Sequence, residues 1–331
     1  RCCGRILRAT LAGRLVLHQA PGAATMPLRL ARRPDFMHPG ILYAASAYVL
    51  WGLFPLYFSH LSTVPATEVL VHRVVWSLVF VLAVLAWRRQ WAWLAPTLRQ
   101  PRVIGAFVAS ALLLSCNWLT YIWSVNHGHV VDASLGYFIT PLVNVLLGYT
   151  VLHERPRRLQ WTALALATLG VVWLTVAAGQ LPWIALVLAA SFGGYGLLRK
   201  IAPLGALEGL TLETLLLAPP ALAALVLWWG DGPQNFPTAE LSTNLLLIGV
   251  GPLTAVPLLL FAAGARRISM TTLGLLQYIG PSIQFALGMW LFNEPFGGQR
   301  LAGFGLIWAA LLLYSADGWR SARRLRLQVA G

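Results

Sequence analysis

Lysine is almost absent from this chain of 331 residues, and Lys200 is the only one. Without a GxxxxGK[ST] string around it there is no phosphate-binding loop, which excludes ATP-driven pumping by this polypeptide. No GxSxG elbow occurs, and the HER at 153–155 lacks the second histidine of a zinc-protease helix. Cysteine is scarce too. Cys2 and Cys3 are adjacent and Cys116 lies inside an apolar run, so neither a disulfide framework nor a thiolate metal site is indicated. No catalytic constellation emerges, and the chain reads as a non-enzyme with no cofactor and no metal. Acid is limited to ten Asp and Glu against 24 Lys and Arg. That excess of base does not point to nucleic acid, because 58% apolar and 10% charged residues leave no solvated basic face on a soluble domain.

What the chain has in quantity is apolar sequence in runs of about 20 residues, the length that crosses a hydrocarbon core of about 30 Å. Ten spans are expected, at 40–60, 67–87, 103–125, 132–152, 159–178, 181–198, 207–229, 243–264, 270–292 and 301–317. The cations alternate between the gaps. Seven Arg precede residue 40; Arg88, Arg89, Arg99 and Arg102 follow the second span; Arg155, Arg157 and Arg158 follow the fourth. Arg199 with Lys200, Arg266 with Arg267, and four Arg after residue 319 continue the series, whereas the intervening gaps hold only Arg300. Cationic loops stay on the cytoplasmic side, so both termini are expected there, in a bacterial inner membrane. Trp87, Trp91, Trp93, Trp228, Trp229 and Trp319 read as headgroup anchors. The Arg-rich head, 1–39, has no long apolar core and is expected to be disordered, with Met26 and Met37 as candidate start sites.

A shift of 140 residues lays 132–154 on 272–294 without a gap. Leu135, Ile139, Pro141, Leu147, Gly148 and Glu154 meet Leu275, Ile279, Pro281, Leu287, Gly288 and Glu294, and Glu68 meets Glu208. The expected organisation is a first repeat at 40–178, a second at 179–318 and a basic tail at 319–331. Five spans per repeat is odd, so the second copy enters from the opposite side. That is the inverted-repeat architecture of secondary transporters.

Ionised and amide groups within spans are costly, about 2.5 to 3.5 kcal/mol for a central charge, and each is expected to face a cavity or a partner. Glu68 and His72 share a helical face; Arg73 lies about two turns deep. Glu213 is the repeat equivalent of Arg73, and an ion pair between them is expected if their depths allow it. Span three offers Asn117, Trp118 and Tyr121, and spans four and nine place Pro141 and Pro281 mid-span, each freeing a backbone carbonyl. Glu154, beside Arg155, Arg157 and Arg158, reads as a topological anchor.

The strings YVLWG, HRVVWS, NWLTYIWSVN, ASLGYFITPLVN, GYGLLRK, VPLLLF and LQYIGP resemble the RarD family of EamA-type permeases, in the drug/metabolite transporter superfamily. The likeness covers residues 38–318. It implies ten helices in two inverted five-helix repeats and movement of a small solute. This chain carries Asp132 and Thr140 where the family has Glu and Asn. The expected cavity residues are Trp51, Arg73, Asn117, Trp118, Tyr121, Tyr137, Glu213, Gln277 and Tyr278, with Glu68, His72 and Glu213 as proton-coupling candidates. The expected function is a secondary transporter moving a metabolite or drug-like solute by alternating access. The alternatives are a membrane receptor or assembly scaffold and an enzyme acting on lipid intermediates. Expected partners are a small solute and the bilayer, and a homodimer is compatible with the pattern.

Overall fold

The computed structural model describes residues 38–127, 130–178, 183–231, 237, 240–291 and 298–330. Thirteen α-helices and no strand occur among the described residues. The first are α1 (Pro39–Gly52), α2 (Phe54–Phe58), α3 (Ala66–Arg88), the short α4 (Leu94–Leu98), α5 (Pro101–Asn126), α6 (Val130–Thr150) and α7 (Arg158–Ala178). They are followed by α8 (Trp183–Ile201), α9 (Ala206–Asp231), α10 (Leu241–Ala265), α11 (Met270–Gln277), α12 (Ile279–Trp290) and α13 (Gly298–Ala330).

Seven stretches are long and apolar enough to cross a membrane: Pro39–Leu61, Ala66–Arg88, Pro101–Ser124, Arg158–Val176, Trp183–Ile201, Ala206–Leu227 and Leu241–Ala265. The other apolar helical tracts are α6, the pair α11 and α12, and Leu301–Asp317 within α13. Burial is inverted relative to a water-soluble protein. Leu112, Val176, Val226 and Leu312 stand exposed, while Glu68, His72, Arg199 and Glu213 are buried. Apolar groups on the outside cost nothing against acyl chains, and polar groups need partners inside.

Prolines divide several helices. Pro55 interrupts the first apolar stretch by removing the N–H that the Trp51 carbonyl would accept, and the amide of Gln284 donates to that carbonyl instead, at 3.1 Å. Pro141 stands inside α6, and Pro281 follows the break at Tyr278 that separates α11 from α12. The span expected over 270–292 is built as the pair α11 and α12, and α13 continues past residue 317 to Ala330.

Close crossings set the packing. A Cβ on Gly274 would lie 2.6 Å from the Pro141 carbonyl oxygen, so only glycine lets α11 lie against α6 there. α1 packs on α10, α11 and α12; α3 on α9 and α10; α5 on α8 and α9; α6 on α7, α8 and α11; and α7 on α13. At the centre, Tyr48, Trp51, Phe192, Tyr195 and Phe261 form an aromatic layer, with Tyr195 stacked on Phe261 at 5.9 Å between ring centroids.

Candidate functional site

A cavity of about 530 Å³ opens above this aromatic layer, walled by α1, α2, α3, α5, α6, α8, α10, α11 and α12 together with the 61–64 turn. Among the described residues of its wall, Arg73, from α3, is the one cation, and none is Asp or Glu. Its Nε donates to the Thr254 hydroxyl at 3.1 Å, which fixes the side chain against α10. The guanidinium lies 4.8 Å from the Trp118 ring centre and 5.9 Å from that of Phe58, within the range of a cation–π contact. Tyr121 and Tyr137 stand edge to face beside it, 6.2 Å apart.

Amides complete the wall. Asn117 donates from Nδ2 to the Leu188 carbonyl (3.0 Å) and the Ser191 hydroxyl (3.2 Å), so its amide ties α5 to α8 as well as lining the cavity. The Gln277 Oε1 accepts from Asn144 at 2.9 Å. The rings of Pro141 and Pro281 remove the donors that would have taken the carbonyls of Tyr137 and Gln277, and both of these residues border the cavity.

Of the residues singled out from the sequence, Trp51, Arg73, Asn117, Trp118, Tyr121, Tyr137 and Gln277 share this cavity. Tyr278 does not. It is buried in a cluster with Phe138 and Phe304, and its hydroxyl donates to the Phe138 carbonyl at 3.2 Å. Glu68 and His72 are buried on α3 outside the cavity wall, where His72 Nδ1 accepts from Trp76 Nε1 at 3.0 Å. Glu213 lies outside the wall as well, and the expected pairing with Arg73 is not made. Glu213 accepts from Ser110 (2.5 Å) and Tyr195 (3.4 Å) and faces Arg199 at 3.6 Å. The reason is local. Arg199 lies seven residues before α9 begins, so the α8–α9 turn brings it back to Glu213 at the same level, while Arg73 belongs to the cavity layer. The Asp132 side chain and Glu294 fall outside the described residues.

Below the aromatic layer the bundle is closed by a polar belt. Glu154 accepts from the backbone N–H groups of Met270 (2.7 Å) and Thr271 (3.1 Å) and from the Thr271 hydroxyl (3.1 Å). A carboxylate at the first turn of α11 satisfies donors that the helix leaves unpaired and is favoured by its dipole. Lys200 donates to the carbonyls of Ala265 and Ile268, and Arg266 to those of Ala202 and Leu204. Arg199 also donates to the Ala206 carbonyl at 2.9 Å. Glu154 therefore binds a distant helix end, in addition to any topological role. The one signal for it in the sequence is the SMTT start of α11, whose N–H groups need an acceptor.

The EamA-like transporter family matches residues 38–176. A transporter of Pseudomonas aeruginosa is 48% identical over 288 residues, covering 86% of this chain and 96% of that protein. Protein RarD of Streptomyces exfoliatus is 48% identical over 292 residues, covering 88% of this chain and 92% of its own length. The chain belongs to the RarD group of EamA-like transporters in the drug/metabolite transporter superfamily. One protein crystal structure shares the fold, with a TM-score of 0.65 and 21% identity over 83% of this chain and 96% of that one. An all-helical, multi-pass membrane protein is what a RarD-type chain of this composition requires.

Proposed function

We propose that this RarD-type protein is a secondary transporter that carries a small solute through the Arg73 cavity by alternating access, with no enzymatic step. The observation that carries the reading is the cavity itself. A receptor or scaffold built on the same bundle would fill its centre with apolar side chains. Here the centre holds about 530 Å³ bordered by a guanidinium, amides, phenols and indoles, within the volume range of small-molecule sites.

Ten membrane crossings in two inverted repeats are part of the proposal. Seven stretches have the required length and apolarity, and α6, α11 with α12, and Leu301–Asp317 would supply the rest. The packing supports the inversion. If the spans are counted in order and those of the two halves exchanged, the pairing of α1 with α10 becomes that of α8 with α5. The pairing of α3 with α10 becomes that of α9 with α5, and α1 with α11 becomes α8 with α6; all are present. The α3–α9, α6–α11 and α7–α13 pairs exchange with themselves. Such a bundle can close at either end with equivalent contacts, which is the requirement for alternating access.

Sidedness follows from charge. The end sealed by Glu154, Arg199, Lys200 and Arg266 is rich in cations and is assigned to the cytoplasm, along with both termini, and the side of the cavity walled by the 61–64 turn is assigned to the outside. Reconstituted vesicles test the reading. Solute-dependent movement of protons or of labelled solute is expected with the wild type and is expected to fall with Arg73→Ala. Vesicles containing folded wild-type protein that move nothing across a broad solute set would contradict it.

A further inference from the structure

We propose that the cavity selects monovalent organic anions with an aromatic body over zwitterions and cations, and that Arg73 reads the charge. The inference rests on the transport reading and names the solute class of the same cavity. Arg73 forms no ion pair among the described residues. Its Nε is committed to Thr254, whereas Nη1 and Nη2 have no acceptor among the described residues and are not sealed from the cavity. The other buried arginine shows the contrast. Arg199 has Glu213 within 3.6 Å and backbone carbonyls on its Nη2.

A cation two turns inside a membrane-spanning helix without an anion is costly, and a bound carboxylate would relieve that cost through two parallel charge-assisted hydrogen bonds. An ammonium group would meet the reverse. The described residues of the wall offer it no carboxylate, and it would enter a cavity of low dielectric that already holds a positive charge. Glu68 cannot serve, being buried outside the wall, and Glu213 is held with Arg199 below the aromatic layer. A single guanidinium balances one negative charge, which sets the valence. The aromatic preference comes from Trp51, Phe58, Trp118 and Phe192, with the hydroxyls of Tyr121 and Tyr137 beside Arg73 as further donors to a carboxylate.

Three ligands with one ring system separate the charge classes: indole-3-acetate, L-tryptophan and tryptamine. Titration calorimetry on the full-length protein in nanodiscs is expected to show indole-3-acetate binding at least about tenfold more tightly than the other two. Arg73→Gln is expected to erase that preference, and Arg73→Lys to retain it at reduced affinity, because a lysine keeps the charge but not the two-pronged geometry. The wild-type ranking alone decides the matter if a variant does not fold. Equal or tighter binding of tryptamine or L-tryptophan overturns the inference, as does an unchanged preference in Arg73→Gln. Vesicle flux separates this failure from that of the transport reading. Tryptamine carried as fast as indole-3-acetate sinks the charge selection and leaves the transporter. Selective indole-3-acetate binding without any flux supports the selection and sinks the transporter.

Discussion

Arg73 and Glu213, which a shift of 140 residues superposes, have opposite surroundings. Arg73 was legible because a cation inside a 23-residue apolar helix has no cheap resting place and must face something polar. The partner of Glu213 was not legible. Arg199 sits beside Lys200 at the end of α8 and has the sequence signature of an ordinary loop cation, and only the fold of the α8–α9 turn returns it into the core. Both side chains of this pair are almost fully buried, at 1% and 0% exposure. Removing one partner therefore leaves an uncompensated charge. Glu213→Ala is expected to lower stability by about 3–5 kcal/mol, whereas Ser110→Ala, which removes one hydrogen bond to the same carboxylate, costs about 1–3 kcal/mol. Unfolding of the detergent-solubilised protein measures both, and a Glu213→Ala protein as stable as the wild type would show that Arg199 does not need its carboxylate.

Among the elements, the helices were readable from apolar run length, and their ends fall within a few residues of the expected spans except at the end of α13, which runs on to Ala330. The interruptions were only partly readable. Pro141 leaves α6 continuous, while the equivalent Pro281 accompanies a break at Tyr278, so a mid-span proline did not specify which outcome follows. Nothing in the sequence linked Gln284 to Trp51, since that bond spans 233 positions. The carbonyl freed by Pro55 and the amide that takes it make a paired test. Gln284→Leu is expected to destabilise the protein by about 1–3 kcal/mol by leaving the Trp51 carbonyl unpaired. Pro55→Ala in the same chain is expected to recover part of that loss, because the restored N–H can take the carbonyl. Additive losses in thermal unfolding of the double variant would show that the two residues are not linked through this carbonyl.

For the whole molecule, the exchange-symmetric packing of the helices supports the proposal that the chain is two repeats at a shift of 140 residues. The cavity residues gathered from α1, α3, α5, α6 and α11 could be nominated individually, but their meeting depends on helix order, and the aromatic layer with Tyr48 and Phe192 went unnoticed because aromatic residues are common in membrane helices. At the closed end one carboxylate, Glu154, bridges from just past α6 to the start of α11. If the halves rock about the cavity, that bridge must break when the cytoplasmic end opens. Spin labels at residues 153 and 267, both exposed and flanking the bridge, report the opening by double electron–electron resonance in nanodiscs, with Cys2, Cys3 and Cys116 replaced by alanine. Two distance populations are expected in the otherwise wild-type protein, with Glu154→Ala shifting weight to the longer one. A single short distance, unaltered by Glu154→Ala, would contradict alternating access through this cavity.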